Sequence, residues 1–262
     1  MGFDSAADPD PNHLIWQLLK VPRPPGLSLL PTHWGATKRG TVNAEQLPRM
    51  PLSLMLQFKR PEYLTTANAS QWKLWSNPYY RFVRAAEQHR VLRRLDRSLA
   101  GDVTVRYAAP AFHLLSDLEA AQLAGEVIAR SGHVSPEELG SHKVWTYQVS
   151  GTTGQGNPDG AELPFSTLQQ LFVRQPAVAE TVGQVSVYEG LERHLDTVAV
   201  VCRERNPALR GVIDRWQQSL ARSNLGLDRR AALINYATIQ TFCSWQRISW
   251  WLLDGLEVRP AG

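Results

Sequence analysis

Pro51-Leu52-Ser53-Leu54-Met55-Leu56-Gln57-Phe58-Lys59 alternates with period two. Successive side chains of an extended chain point to opposite faces. Leu52, Leu54, Leu56 and Phe58 therefore share one face, and Ser53, Met55, Gln57 and Lys59 share the other. This is a β-strand, and the reading of its neighbours follows from it. Just upstream, Thr41-Val42-Asn43-Ala44-Glu45 fits a shorter partner strand joined through residues 46–50, with Asn43 and Glu45 on one face.

Downstream, residues 79–99 read as a helix, in which Leu92, Leu95 and Leu99 make an apolar stripe and Arg90, Arg93, Arg94 and Arg97 cluster opposite. Residues 103–109 read as a second strand closed by Pro110, residues 116–131 as a helix, and residues 143–149 as a third strand. Alternating strands and helices predict an α/β layer in which helices cover a sheet. The segment 151–160, with Gly151, Gly154, Gly156 and Gly160 among Thr, Asn, Pro and Asp, breaks this pattern and marks the expected boundary. Beyond it the period becomes helical: Val178, Val182, Val185, Tyr188, Leu191, Leu195, Val198 and Val201 recur at three- or four-residue spacing and predict one long helix. A second helix follows from Leu209 to Arg222, and a last one runs from about Asp228 to Asp254 with Gly255 as its stop. The expected organisation is a Pro-rich tail over 1–26, an α/β core over 27–150 and an all-helical region over 161–258.

Composition narrows the class. The 262 residues are 43% hydrophobic and 20% charged, too apolar for disorder and sufficient for a sizeable core. No run of about 18 apolar residues occurs, which argues against a membrane span. The start, Met1 to Asn12, lacks a basic and apolar leader, so a cytoplasmic location is expected. Two cysteines, Cys202 and Cys243, make neither a disulfide framework nor a four-ligand zinc site. The net charge of +4 admits a nucleic-acid partner without requiring one.

The chemistry centres on the end of the first strand. Metal-dependent phosphodiester cleavage needs a bound divalent cation and a cationic group near the attacking water. Gln57 and Lys59, two positions apart, project to one side of the strand and meet part of that need. Together with Leu56-Gln57-Phe58-Lys59-Arg60-Pro61-Glu62-Tyr63-Leu64, Pro78-Tyr79-Tyr80-Arg81-Phe82, Gln88 and Tyr107-Ala108-Ala109-Pro110, this strand resembles the restriction-endonuclease-like nucleases of the PD-(D/E)xK superfamily. More narrowly, it is similar to a bacterial group whose apolar strand ends in Gln-Phe-Lys. The likeness covers roughly residues 27–150. It implies a restriction-endonuclease-like mixed sheet flanked by helices, a DNA-directed function in bacterial defence, and Mg²⁺ or Mn²⁺ as cofactor. Lys59 and Gln57 would then be catalytic, with Glu45 and Asn43 helping Gln57 to hold the metal. Against this, the stretch from Pro31 to Ala44, where the family carries its Glu and Asp ligands, contains no acid. Asn43 offers only a neutral carbonyl, a poorer ligand than a carboxylate. Lys59 also reads as a strand-end lysine whose stem covers apolar surface. The alternative is therefore a catalytically inactive member that binds nucleic acid or protein.

Residues 79–97 hold six arginines against Glu87 and Asp96. Arg90, Arg93, Arg94 and Arg97 would suit a phosphate backbone, or form an ordinary solvated helix face. Trp72, Trp75, Tyr79 and Tyr80 would stack on bases or pack a core. The glycines of 151–160 lack a Gly-Lys-Ser/Thr ending, so a connector is expected there, not a phosphate loop. His113, His133 and His142 lack ligand spacing and read as caps or surface residues. Trp245, Trp250 and Trp251 crowd the last predicted helix, either as core or as the interface of a homo-oligomer or protein partner.

Overall fold

The computed structural model describes residues 52–149, 153–163, 168, 187–221 and 226–253. The expected Pro-rich tail, the segment 41–45 and the valines at 178, 182 and 185 lie outside the described residues. Within them the chain has mixed α/β content, with two sheets. The described residues divide into two compact units, one between 54 and 168, the other of residues 52–53 with 187–253.

In the first unit the elements are β1 (Leu52–Phe58, from Leu54 onward), β2 (Glu62–Leu64), α1 (Trp72–Trp75), β3 (Tyr79–Val83), α2 (Ala86–Ser98), β4 (Val103–Pro110) and α3 (Leu115–Leu123). They continue with β5 (Ser131–Val134), α4 (Pro136–Leu139), β6 (Val144–Tyr147), β7 (Gly154–Asn157) and β8 (Ala161–Leu163). β1 lies beside β4, and β4 beside β5. The second sheet runs β2-β3-β6-β7-β8 with every neighbour antiparallel. β1 is buried on both faces from Ser53 to Gln57, as a strand covered on two sides must be.

The core between the strands is aromatic. The register of β3 on β6 sets Tyr80 opposite Tyr147 and Phe82 opposite Trp145. The Phe82 ring sits 5.5 Å from Tyr107 on β4 and 5.4 Å from Trp145, edge to face. The Tyr147 hydroxyl donates to the Pro110 carbonyl at 2.6 Å.

Three expectations change here. The helix expected over 79–99 begins only at Ala86, because Tyr79–Val83 is a central strand with Tyr79, Tyr80 and Phe82 buried. The helix expected over 116–131 stops at Leu123, and Ser131–Val134 forms β5 against β4. Gly154–Asn157 is neither a break nor a connector: it pairs with Val144–Thr146 on one side and Ala161–Leu163 on the other. Its glycines make room. A Cβ on Gly154 would lie 2.0 Å from Trp145 Nε1, and one on Gly156 would lie 2.6 Å from the His142 ring.

In the second unit, α5 (Val187–Arg205) and α7 (Leu227–Trp245) pack together, with α6 (Arg210–Ala221) against α7. Leu191, Leu195, Val198 and Cys202 on α5 and Ile239, Phe242 and Cys243 on α7 are buried. Asn206 ends α5 and its side chain caps the short 3₁₀ turn Pro207–Leu209 by accepting from the Ala208 amide. Both cysteines are free and buried, and burial raises both thiols, Cys202 to about 12. The last helix does not run to Asp254. It stops at Trp245, where Arg247 takes positive φ, and Ser249–Leu253 is a strand, β9. With β8 at Ala161–Leu163 as well, the region expected to be all-helical contains two strands.

Candidate nucleic-acid interface

Two polar constellations lie on α2, on opposite sides of it. Residues 88, 92, 95 and 99 repeat at three- or four-residue spacing and face the sheet, with Leu92, Leu95 and Leu99 buried. Arg90, Arg93, Arg94 and Arg97 occupy an arc of roughly 100° on the other side of the helix.

On the sheet side, the Lys59 backbone N–H donates to the Ala108 carbonyl at 2.8 Å, which ties the end of β1 to β4. The Lys59 ammonium donates to Gln88 Oε1 at 3.1 Å, and the Gln88 amide N–H donates in turn to Gln57 Oε1. Gln57 Nε2 donates to the Phe58 carbonyl at 3.1 Å. Lys59 Nζ also stands 5.2 Å from the centroid of the Tyr107 ring. The structure therefore brings the two expected catalytic residues together, through a glutamine one helix away. Burial lowers the Lys59 pKa, since an ammonium loses hydration there. Gln57 is only 7% exposed and its carbonyl is already engaged.

Asn43 and Glu45, the expected metal ligands, lie outside the described residues. Among the described residues, no group of three or more His, Cys, Asp or Glu side chains is placed to hold a metal ion. The Lys59–Gln57–Gln88 cluster consists of one cation and two amides, and amide oxygens committed to hydrogen bonds are weak donors to Mg²⁺. The described residues alone do not make a magnesium site.

Next to this cluster is His89, 3% exposed. Its Nε2 lies 2.7 Å from the Gly140 carbonyl, and its Nδ1 lies 2.9 Å from the Tyr107 hydroxyl. A carbonyl only accepts, so Nε2 carries the proton and Nδ1 accepts from Tyr107. Burial pushes the imidazole down to about 4, more than the Gly140 bond raises it.

The other side of α2 opens on a groove of about 440 Å³ lined by Arg84, Arg90, Arg93, Arg94 and Arg97, together with Ala86, His89, Gly140 and Ser141. Neither Gln57 nor Lys59 lines it. The helix separates the arginines from the Lys59 cluster. Arg84 donates to the carbonyls of His142 and Ser141, neutral partners that leave its charge uncompensated. Among the described residues Arg90 pairs only with Glu87, three residues away on the same helix. Arg94 makes no hydrogen bond or ion pair among the described residues. Arg93 and Arg97 both grip one carboxylate, Glu137 on α4. Arg93 donates from Nε at 3.2 Å and Nη2 at 2.9 Å, Arg97 from Nε at 2.7 Å and Nη2 at 2.6 Å. These bonds, Arg97's first, hold the Glu137 pKa down at about 2. Five guanidiniums thus line the groove, and three of them pair with Glu87 or Glu137 beside it.

Glu137 was missed in the sequence, though a signal for its position exists. Ser135-Pro136-Glu137-Glu138 is a capping box: Ser135 Oγ accepts from the Glu138 amide, and the Glu138 carboxylate accepts from the Ser135 amide, both at 2.9 Å. That motif starts α4 and sets Glu137 in its first turn. Nothing in the sequence indicates that α4 packs on α2.

The other expected residues resolve as follows. Tyr79 and Tyr80 belong to the core, and Trp75 donates to Thr146 Oγ1 at 3.0 Å. His113 is exposed and stacks on Tyr63 at 4.0 Å, while His142 faces Asp159 at 2.9 Å. His133 is neither cap nor surface: it is 2% exposed on β5, and its Nδ1 has no hydrogen-bond partner among the described residues. Of the three interface tryptophans, Trp245 and Trp251 are 48% and 43% exposed. Trp250 is buried, with its Nε1 donating to Ser53 Oγ at 2.9 Å, and is a core residue.

Comparison of the chain with protein-family models, with curated proteins and with solved structures gave no match. The likeness to the restriction-endonuclease-like nucleases rests on the motifs quoted above. Among the described residues no helix is long and apolar enough to cross a membrane.

Proposed function

We propose that this chain is a DNA-directed protein, a non-catalytic variant on the restriction-endonuclease-like plan, that grips the phosphate backbone through the arginine face of α2. The observation that carries this reading is the groove itself, lined by five guanidiniums of which only three pair with a carboxylate among the described residues, Glu87 or Glu137. Phosphate oxygens accept from guanidinium N–H groups without regard to base sequence, and neutralising them releases counterions. The bacterial-defence setting and a homo-oligomer or protein partner at Trp245 and Trp251 belong to the same reading as proposals.

The test is binding of labelled duplex DNA of unrelated sequences over a range of salt. The wild-type chain should bind all of them alike and weaken steeply as salt rises. Arg90→Gln with Arg94→Gln should reduce the log–log salt slope by roughly 2, near 0.9 per lost contact. An unchanged slope in that double variant would overturn the reading.

A second reading, divalent-metal-dependent hydrolysis, is favoured by the meeting of Gln57 and Lys59 on Gln88. Incubation of plasmid DNA with Mg²⁺ or Mn²⁺ decides it. Cleavage by the wild-type chain that disappears in Lys59→Ala would support the enzyme; binding without cleavage supports the first reading.

A further inference from the structure

We infer that Glu137 occupies a phosphate seat of the α2 groove, so that the unbound protein blocks part of its own nucleic-acid site. The inference rests on the DNA-binding reading and adds a regulatory contact to it. An arginine fork recognises a carboxylate and a phosphate by the same geometry, two N–H groups on two oxygens. In the Glu137 clamp two such forks close on a single carboxylate, with all four bonds between 2.6 and 3.2 Å. The clamp is not deep in the protein. The Arg97 and Glu137 side chains are 61% and 43% exposed and Arg93 29%, so an incoming anion can reach them.

Glu137 is fixed from behind. The Ser135–Glu138 capping box holds the start of α4, and the Glu137 amide lies 3.4 Å from Asp96 Oδ2 on α2. The carboxylate therefore does not reach the seat by chance swinging of a free side chain; its backbone places it there. The groove is divided as a result. Arg90 and Arg94 face solvent with one local carboxylate between them, whereas Arg93 and Arg97 serve phosphate only when Glu137 gives way. A purely structural clamp predicts the opposite behaviour, since loss of Glu137 would then disorder the two arginines and weaken binding.

Glu137→Gln separates the two. It keeps the shape and a carbonyl acceptor but removes the competing charge. The measurement is DNA affinity and salt slope of the full chain, with thermal unfolding to verify that the variant is folded. Two freed arginines should tighten binding on the order of tenfold at moderate salt and steepen the slope by up to about 1.8. Adding Arg93→Gln and Arg97→Gln to that variant should cancel the gain. If the wild-type chain binds DNA and Glu137→Gln binds equally or less tightly, the seat is refuted while the DNA reading stands. If neither binds, both are refuted.

Discussion

The Lys59 ammonium donates to the side-chain carbonyl of Gln88 at 3.1 Å, across the gap between β1 and α2. The contact spans 29 residues of sequence and is the link through which Gln57 and Lys59 meet. Gln88 is half-buried, and an amide that both accepts and donates leaves two other groups without that partner when it is removed.

Gln88→Leu should therefore cost about 1–3 kcal/mol of stability, as expected when buried polar groups lose their partners. Adding Lys59→Met to it should cost less than the sum of the two single changes, because both ends of the contact then vanish together. Denaturant titrations of the three variants measure this. Strict additivity would show that the contact contributes nothing.

Gly154 is glycine because Trp145 occupies the space where a side chain would begin. Gly154→Ala should destabilise the protein by about 1–3 kcal/mol, the usual range for overpacking a filled core. Gly211, inside α6, meets nothing within 4 Å of an added Cβ. Gly211→Ala should raise stability by about 0.4–1 kcal/mol, since alanine leaves the unfolded chain fewer conformations to lose than glycine does. Thermal unfolding of the two variants should move in opposite directions.

Acid should weaken the fold before most carboxylates titrate. Burial lowers His89 and His133 from 6.5 to about 4 each, with the Arg106 charge adding to the effect at His133. Between those values the unfolded chain binds protons that the folded chain refuses, so stability falls as pH falls from about 6.5 towards 4. Each histidine contributes a slope of up to about 1.4 kcal/mol per pH unit. His133→Leu removes one of these protons and should flatten the decline; denaturation midpoints at pH 7 and pH 5 provide the comparison. Glu137, held near 2, acts in a lower window: its contribution is present above its ordinary value of 4.5 and is lost only as pH drops towards 2.

The periodicities that depend on one segment alone were legible. The leucine stripe of α2 with its arginine arc opposite can be read from its own residues, because burial on one side imposes a period on the chain, and β1, β4 and β6 can be read as short apolar runs, because strands buried on both faces need apolar residues throughout. What failed did so where a distant group set the local choice. Gly154 and Gly156 look like a break, and only Trp145 and His142, packed against them, explain why a strand there needs residues without side chains. Tyr79–Val83 was absorbed into the following helix because its aromatic residues carry no helix-breaking signal; the antiparallel pairing with β6 decides it. The turn at Arg247, with its positive φ, likewise separates β9 from a helix whose apolar pattern continues through it. For the candidate site the division is the same. The residues Gln57, Lys59 and the four arginines of α2 could be named from sequence, since charge and strand position are local properties. That α2 stands between them, and that Glu137 closes on Arg93 and Arg97 from some 40 residues away, is a matter of which helix packs where. Coulombic and hydrogen-bonding partners are chosen by distance in space, and one-dimensional order carries almost no information about that distance.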